Sequence, residues 1–297
     1  MRVRCRDPIR NLGRSISSNA PPLQIQYTRR VKTPKQRLDL LLVERKFFDS
    51  RSSAQREILA GNVLVNGQLA DKPGTQFSMY AQIEIKAKNP YVSQGGLKLE
   101  KALKEFSIDV ADKSCLDVGA STGGFTDCLL QHGAKKVFSV DVGKGQLDWK
   151  LRNDPRVIVL EEINARYLQP EQIGERVDLA TVDVSFISLK LVLPAIQPIV
   201  KSNGECVLLV KPQFEAGREQ VGRGGVVKDS LVHHRVLTEV VSMLEKAQKL
   251  SLFNATFSPF KGPAGNIEFL LHVLNGPDES RPVDLAKIVR DAHVQLD

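Results

Sequence analysis

The chain has 297 residues, of which 42% are hydrophobic and 26% charged, a composition typical of a soluble globular protein of about two domains. No stretch approaches ~18 consecutive apolar residues, which excludes a membrane-spanning helix on the sequence. The net charge of +8 lies in the first part of the chain: residues 1–37 hold ten Lys/Arg and one acid, whereas the remainder holds 32 basic and 33 acidic residues. Any nucleic-acid surface on the folded body must therefore come from local clustering of cations.

Residues 1–34 form a basic leader, rich in Arg and Ser and without a periodic apolar face. This composition is typical of an organelle transit peptide, of a basic arm that touches nucleic acid, or of an unstructured extension. We expect the unstructured extension and a cytoplasmic protein; the alternative is a plastid or another organelle, if the leader is a transit peptide.

The cysteines are spaced without any metal-binding pattern. Cys5, Cys115, Cys128 and Cys206 show no CxxC spacing and no nearby His pattern. We therefore expect reduced thiols and no metal.

Residues 35–88 predict a small α+β module. Leucines recur at helical spacing over residues 38–42, and a second helix is predicted over residues 51–60 after two residues that can cap it. A period-two pattern then leads to the hairpin turn Asn66-Gly67 and a further short strand. The candidates for phosphate contacts on this module are Arg51, Arg56, Lys86 and Lys88. Taken singly, each is also explained as a solvated charge.

After a linker at residues 89–93, residues 94–275 alternate strands with helices, the pattern of a mostly parallel, doubly wound α/β sheet. The predicted strands are Ser114–Val118, Val137–Asp141, Val157–Leu160, Asp178–Asp183 and Glu205–Val210. The predicted helices are residues 97–105, 123–132, 187–201 and 229–249. Two late strands, Leu252–Ser258 and Asn266–Val273, predict an antiparallel hairpin at one edge. Residues 276–297 are left as a tail.

The strongest local motif is a buried strand that runs into a glycine-rich turn and then a helix, over residues 116–125. Glycine lets the backbone approach a ligand closely, and the turn presents unpaired amides. The spacing is GxxxGG, which differs from the GxGxxG of dinucleotide binders. Asp141 ends the next predicted strand, where an acid can accept hydrogen bonds from ribose hydroxyls. Together these features indicate an adenosine ligand without a pyrophosphate; the alternative is an ordinary tight turn and a solvated acid.

Four charged residues are expected to converge at the carboxyl edge of the sheet. Asp183 and Lys211 end or follow neighbouring predicted strands, and Glu268 begins a strand that would run antiparallel to them. Lys98 lies on the first helix of the domain. A partly desolvated lysine beside a second cation can become a neutral base for a ribose hydroxyl. The alternative is a surface network of ion pairs.

The chain resembles two known families in sequence. One set of segments looks like the RNA-binding domain named after ribosomal protein S4: Arg37–Asp39, Ser52–Gln55, Ile58–Val63 and Val65–Gly67. From Tyr91 onward the chain resembles the haemolysin-A-like (TlyA) family of ribosomal RNA 2′-O-methyltransferases, with an FtsJ-like catalytic domain. The matching segments are Gly95–Leu99, Asp117–Asp127, Asn164–Arg166, Asp183–Leu189 and Lys211–Glu215.

The second resemblance implies a reaction and a set of site residues. It implies methyl transfer from S-adenosyl-L-methionine to a ribose 2′-OH of ribosomal RNA, with cytidine as the expected target. The implied catalytic set is Lys98, Asp183, Lys211 and Glu268, with Lys211 as the base. The implied cofactor contacts are Gly119, Ala120, Ser121, Thr122, Gly123, Phe125, Asp141, Asn164 and Phe186. The expected partners are ribosomal RNA and ribosomal subunits, without a membrane.

Two other functions remain as alternatives. A non-catalytic ribosome-assembly factor would use both domains only to bind RNA, but the presence of all four candidate catalytic residues argues against it. A membrane-lysing protein is suggested by the family's historical name, but the chain has no long apolar or strongly amphipathic segment.

Overall fold

The computed structural model describes residues 34–59, 61–85, 89–248, 250–276 and 280–297. Most of the predicted leader, together with Lys86 and Lys88, lies outside these residues. The chain divides into two compact units at residues 88 and 89. None of the helices in the described ranges combines the length and the apolar character needed to span a membrane.

The first unit contains two helices and five short strands. The strands are β1 (Lys35–Arg37), β2 (Val63–Val65), β3 (Gln68–Leu69), β4 (Gln76–Ser78) and β5 (Ile83–Ile85), and the helices are α1 (Leu38–Glu44) and α2 (Arg51–Leu59). β2 pairs antiparallel with β3 and β5, and β1 with β4. The predicted turn joins β2 to β3, with Asn66 and Gly67 both at positive φ (52° and 75°). The Ser50 hydroxyl caps α2, because it accepts from the Ser53 amide (3.2 Å).

One buried carboxylate connects the two helices of this unit. Asp39, on α1, is fully buried and accepts hydrogen bonds from Arg37, from Arg51 Nε (2.8 Å) and from Gln55 Nε2 (2.8 Å). The hydrogen bond from the Arg37 guanidinium is the main reason that the pKa of Asp39 lies well below its usual range. Since Arg51 and Gln55 belong to α2, this carboxylate fixes α2 against α1.

The second unit is built on one seven-stranded sheet. Its strands are β6 (Ser114–Val118), β7 (Lys136–Val140), β8 (Val157–Leu160), β9 (Val177–Val182), β10 (Val200–Val210), β11 (Leu250–Phe257) and β12 (Phe269–Asn275). Their order across the sheet is β11-β12-β10-β9-β6-β7-β8. The five strands from β6 to β10 are parallel, whereas β12 runs antiparallel to β10 and to β11. This confirms the mostly parallel sheet with an antiparallel edge hairpin.

Helices cover both faces of this sheet, and two hydrophobic clusters fill the space between. The helices are α3 (Gly95–Phe106), α4 (Gly124–Gln131), α5 (Trp149–Arg152), α6 (Pro170–Ile173), α7 (Leu189–Ile196), α8 (Pro212–Glu215), α9 (Ser230–Gln248) and α10 (Leu285–Leu296). α10 lies in the segment that the sequence left as a tail. Its Val289 and Ala292 are buried in the same cluster as α9, so this helix is part of the packed unit.

The pairing of Asp39 predicts a local loss of stability when its charge is removed. Asp39→Asn should destabilise the α1–α2 pair by about 1–3 kcal/mol at neutral pH, because a buried group loses charge-assisted hydrogen bonds. The measurement is the protection of α1 and α2 amides against hydrogen exchange in the full-length protein. Asp49→Asn is the control, since Asp49 is exposed.

The stability difference between wild type and Asp39→Asn should also depend on pH. A carboxyl whose pKa is lowered by folding stabilises the protein fully above its unfolded value, about 3.9, and loses that contribution as the pH falls towards its folded value. The difference between wild type and Asp39→Asn should therefore be constant near neutrality and shrink progressively in acid. A difference that stays unchanged in acid would contradict the pairing.

Candidate active site

The first helix of the second unit carries a lysine that pairs with a glutamate just before the antiparallel strand β12. Lys98, on α3, is buried, and its Nζ lies 2.6 Å from Oε2 of Glu268, which immediately precedes β12. Because β12 is antiparallel, Glu268 lies at the edge where the parallel strands end. A buried amine and a buried carboxylate neutralise each other here. Two residues separated by 170 positions therefore meet, as the sequence predicted.

A second lysine–carboxylate pair lies at the ends of β9 and β10. Lys211 directly follows β10 and Asp183 directly follows β9. Lys211 Nζ lies 2.6 Å from Asp183 Oδ1 and donates to the Ser185 hydroxyl (2.8 Å). The lysine is 11% exposed and the aspartate 20%, so both reach the solvent-filled space at this edge.

Both pairs line one cavity of about 670 Å³. Its other walls include the glycine turn after β6 and two loops, residues 222–227 and 259–265. The size is typical of a small-molecule pocket. Within the described residues, no group of three His, Cys, Asp or Glu side chains is arranged to hold a metal ion.

The glycine turn after β6 packs tightly against the end of β9. Gly119 has a positive φ of 86°, and a Cβ at this position would collide with the carbonyl oxygen of Asp183. Gly123 also has a positive φ (95°), and a Cβ there would collide with the side chains of Leu147 and Leu151. Glycine at 119 thus lets the turn approach the end of β9, whereas glycine at 123 leaves room for apolar side chains.

The turn rests on a buried carboxylate within β6. Asp117 is fully buried and accepts hydrogen bonds from the hydroxyls of Thr126 (2.7 Å) and Thr181 (3.0 Å). Burial raises the pKa of Asp117 to about 7. Since Thr126 lies on α4 and Thr181 on β9, the carboxyl group ties together the elements on both sides of the turn.

A second cavity of about 530 Å³ adjoins the first and shares Gly119, Asp183 and Phe186 with it. Asp141, at the end of β7, lies in its wall and accepts backbone hydrogen bonds from Ser121 (2.8 Å) and Gly143 (2.7 Å). Each oxygen of an ionised carboxylate can accept further hydrogen bonds, so Asp141 remains able to bind hydroxyl groups.

The remaining wall of this second cavity combines an amide with apolar side chains. Asn164 is exposed and lines it, while its Oδ1 accepts from the Arg166 amide (3.0 Å). Val142 and Ile163 contribute apolar surface. Such a wall, with few polar groups at fixed positions among apolar ones, suits a flat heterocycle.

Two aromatic rings lie at the opening of the larger cavity. Phe186 is 90% exposed, has a positive φ of 63°, and places its ring centroid 5.0 Å from that of Phe214. A bulky residue at positive φ is strained, and such strain is typical of functional sites.

Trp149, the single tryptophan of the sequence, is 77% exposed at the start of α5, three residues after Gln146 of the second cavity.

The predicted cofactor contacts fall into two groups in the structure. Most of them line one or both cavities: Gly119, Ala120, Ser121, Thr122, Phe125, Asp141, Asn164 and Phe186. Phe125 is only 3% exposed and also belongs to the hydrophobic core. Gly123 lines neither cavity, and its neighbour Gly124 does. Their roles in binding stay predictions.

The predicted RNA contacts of the first unit are less clustered. Arg51 pairs with Asp39, so it has a structural partner. Arg56 is exposed and, five positions further along the helix, projects about 140° around its axis from Arg51. The two arginines therefore point in different directions, and their contact with RNA stays a prediction.

Several site residues were missed from the sequence. Ser185 contacts Lys211, and Phe214 packs on Phe186. Asn266, predicted to begin a strand, is instead buried in the loop before β12, where it accepts from the Val227 amide and donates to the Gly225 carbonyl (both 2.9 Å). The glycines at 222, 224, 225, 262 and 265 were a signal for these loops.

Comparison with known proteins agrees with this geometry. The sequence pattern of the FtsJ-like methyltransferases matches residues 91–274, which is more than half of the chain. The chain belongs to the FtsJ-like methyltransferase family. The S4 domain pattern matches residues 36–79, within the first unit.

Individual relatives match both units. The 16S/23S rRNA (cytidine-2′-O)-methyltransferase TlyA of Mycobacterium tuberculosis is 46% identical over 248 residues, covering 82% of this chain and 91% of that protein. Hemolysin A of Brachyspira hyodysenteriae is 44% identical, covering 80% and 99%. A solved structure described as a hemolysin, from Streptococcus thermophilus, has a TM-score of 0.69 and 45% identity, covering 89% of this chain and 97% of that one.

The close approach at the glycine turn predicts different costs for two alanine substitutions. Gly119→Ala should destabilise the protein by more than Gly174→Ala. Both residues have positive φ (86° and 77°), which costs an alanine about 1–2 kcal/mol. Only the Cβ at 119 also meets a backbone carbonyl, since nothing lies within 4 Å of a Cβ at 174. Urea unfolding of the two variants measures the difference, and equal losses would contradict the turn's role in close packing.

Proposed function

We propose that this protein transfers a methyl group from S-adenosylmethionine to the 2′-OH of a ribose, at a cytidine of ribosomal RNA. The observation that carries the proposal is the convergence of Lys98–Glu268 and Lys211–Asp183 on one cavity beside the glycine turn. The naming of the TlyA relative as an rRNA cytidine-2′-O-methyltransferase supports the choice of substrate.

Lys211 is the best-placed base. A neutral amine has two N–H donors and one lone pair. With one N–H donated to the Ser185 hydroxyl and Nζ held 2.6 Å from Asp183 Oδ1, Lys211 keeps a lone pair for the proton of a ribose hydroxyl. In the transfer, the bond from the ribose oxygen to the methyl carbon forms, the methyl–sulfur bond breaks, and the hydroxyl proton passes to Lys211 Nζ. General-base help of this kind contributes about 10²- to 10⁴-fold to a rate.

The second pair shapes the charge around this base. Lys98 Nζ lies in the same cavity and contributes positive charge to it. Glu268 holds Lys98 at 2.6 Å and so fixes the place of that charge. Asp183 Oδ1 lies 2.6 Å from Lys211 Nζ and orients it through this ion pair.

The residues present fit S-adenosylmethionine, which supplies a methyl group on a sulfonium when it is bound. The 530 Å³ cavity offers a carboxylate at Asp141 for ribose hydroxyls and an amide at Asn164 for a base edge, beside apolar side chains. Gly119 belongs to both cavities, so a ligand in one reaches the other along this turn. The absence of a GxGxxG spacing agrees with a ligand that has no pyrophosphate.

RNA is the substrate class that both units fit. The first unit matches a domain family named for a ribosomal protein, and the larger cavity carries Lys98, Lys211 and Lys261. The exposed Phe186 ring and the half-buried Phe214 ring beside it offer an apolar surface to a base that has left its stack. We expect the first unit to supply affinity for structured RNA while the second performs the transfer.

The test is methyl transfer from radiolabelled S-adenosylmethionine to ribosomal subunits, followed by mapping of ribose methylation. Wild-type protein should modify a cytidine ribose. Lys211→Ala should lower the rate by about 10²-fold or more, since the general base is lost. Binding of the methyl donor, measured by calorimetry, should stay within about two-fold, because Lys211 lines the larger cavity only.

Two further variants separate a base from a mere charge. Lys211→Arg keeps the cation beside Asp183 but cannot be deprotonated, so it should be as inactive as Lys211→Ala. Lys201→Ala is the control, because Lys201 forms an exposed ion pair with Asp178 away from the cavities (2.5 Å). Activity in the arginine variant would remove the base role, and RNA binding without any transfer by wild type would favour a ribosome-assembly factor.

A further inference from the structure

A chain of hydrogen bonds leads from the last helix to the larger cavity. His233, fully buried on α9, contacts the Val227 carbonyl through Nε2 (3.1 Å) and His293 of α10 through Nδ1 (3.0 Å). His293 Nδ1 in turn lies 2.6 Å from Asp297 Oδ2. Lys261 Nζ donates to the other oxygen of Asp297 (2.8 Å) and lines the cavity.

The hydrogen-bond partners of the two histidines determine where the protons lie in this chain of hydrogen bonds. A carbonyl only accepts, so His233 Nε2 carries the proton that meets Val227, and its Nδ1 accepts from His293 Nε2. The remaining nitrogen of His293 faces a carboxylate, which also only accepts. His293 therefore carries protons on both nitrogens, between a neutral His233 and an ionised Asp297. Burial, followed by the nearby His293, lowers the pKa of His233 to about 4, in agreement with its neutral form.

The other end of the chain reaches the catalytic carboxylate. Lys261 belongs to the loop of residues 259–265, and the next residue, Gly262, donates its amide to the Asn266 carbonyl (2.8 Å). Gly262 packs so closely on Glu268 that a Cβ would collide with the carboxylate. The Asn266 side chain binds the Val227 amide, which closes a ring back to His233.

We propose that doubly protonated His293 is a positioning residue for Glu268, because it holds the 259–265 loop against that carboxylate through Asp297 and Lys261. The inference deepens the proposed function, since Glu268 belongs to the proposed catalytic set. His293 touches no cavity itself, so it acts only through the loop.

The groups around His293 explain how it reaches the loop. Within the described residues, His233 faces it from α9 and Asp297 faces it from its own helix, with Lys261 beyond Asp297 on the loop. Each oxygen of the Asp297 carboxylate therefore accepts from a different donor, His293 Nδ1 on one side and Lys261 Nζ on the other.

Asp297→Asn provides the sharpest test because asparagine has one accepting oxygen where aspartate has two. His293 Nδ1 and Lys261 Nζ each donate to one oxygen of Asp297, so the asparagine loses one of the two contacts and the chain of hydrogen bonds to the loop is broken.

The measurement is hydrogen exchange of the Gly262 and Gly265 amides in the full-length protein, corrected for the intrinsic exchange rate. Relative to wild type, protection should fall about ten-fold in Asp297→Asn and in His293→Ala, the usual effect of losing one hydrogen bond to a charged group.

Asp291→Asn is the matched control, because Asp291 lies on the same helix but pairs with Lys287 at the surface (2.6 Å). It should behave like wild type. Equal protection in all four proteins would overturn the proposal. If His293→Ala does not fold, the wild type and Asp297→Asn pair still decides the outcome.

Activity provides a readout that separates this proposal from the proposed function. His293→Ala should lower kcat for RNA methylation by about five-fold, in line with loosening of one hydrogen-bonded contact, and leave the affinity for S-adenosylmethionine unchanged. Normal kcat together with unchanged exchange in His293→Ala overturns the role of His293. Lowered protection in Asp297→Asn and His293→Ala, in a protein whose wild type shows no methyl transfer, overturns the proposed function and supports the coupling of α10 to the loop.

Discussion

The requirement that buried charges be paired organises the catalytic unit. Lys98 and Glu268 are both buried, and each would be costly to keep ionised without the other. Their pairing fixes α3 over the sheet edge and requires a strand that begins where the parallel strands end. The Lys211–Asp183 pair adds a second, more open contact between the ends of β10 and β9. The two ion pairs therefore hold together the cavity that both of them line.

The sheet was largely predictable because local apolar patterns specify buried strands. The predicted bounds of β6 and β8 agree with the structure residue by residue. β10 begins five residues before its predicted start, since residues 201–204 carry no apolar pattern and this part of the strand is aligned by pairing of Val200 with Val177 across a bulge. The apolar pattern of α2 predicts a buried side formed by Ala54, Ile58 and Leu59, but Leu59 is 69% exposed, because propensity and spacing do not show where a helix loses its neighbour.

Site residues could be predicted from the sequence where the chemistry requires one residue type. They could not be predicted where a contact depends on loops that are far apart in the sequence. Lys98, Asp183, Lys211 and Glu268 were expected at one edge from topology, because a base, a cation and their carboxylates form a set, but the sequence did not show which lysine meets which carboxylate. Asn266 has no such signature, since its role lies in backbone groups brought in by two separate loops. Helix α10 was missed because its contact with α9 is long-range, and no motif in residues 276–297 indicates it.

The exposed position of Trp149 has a practical consequence. As the single tryptophan, it dominates the intrinsic fluorescence of the protein, and its indole already faces water in the native state. Denaturation will change its emission little, so emission is a poor probe of folding here. A polynucleotide that covers the rim near Gln146 will instead shield or quench the indole, and binding can be followed in unlabelled protein.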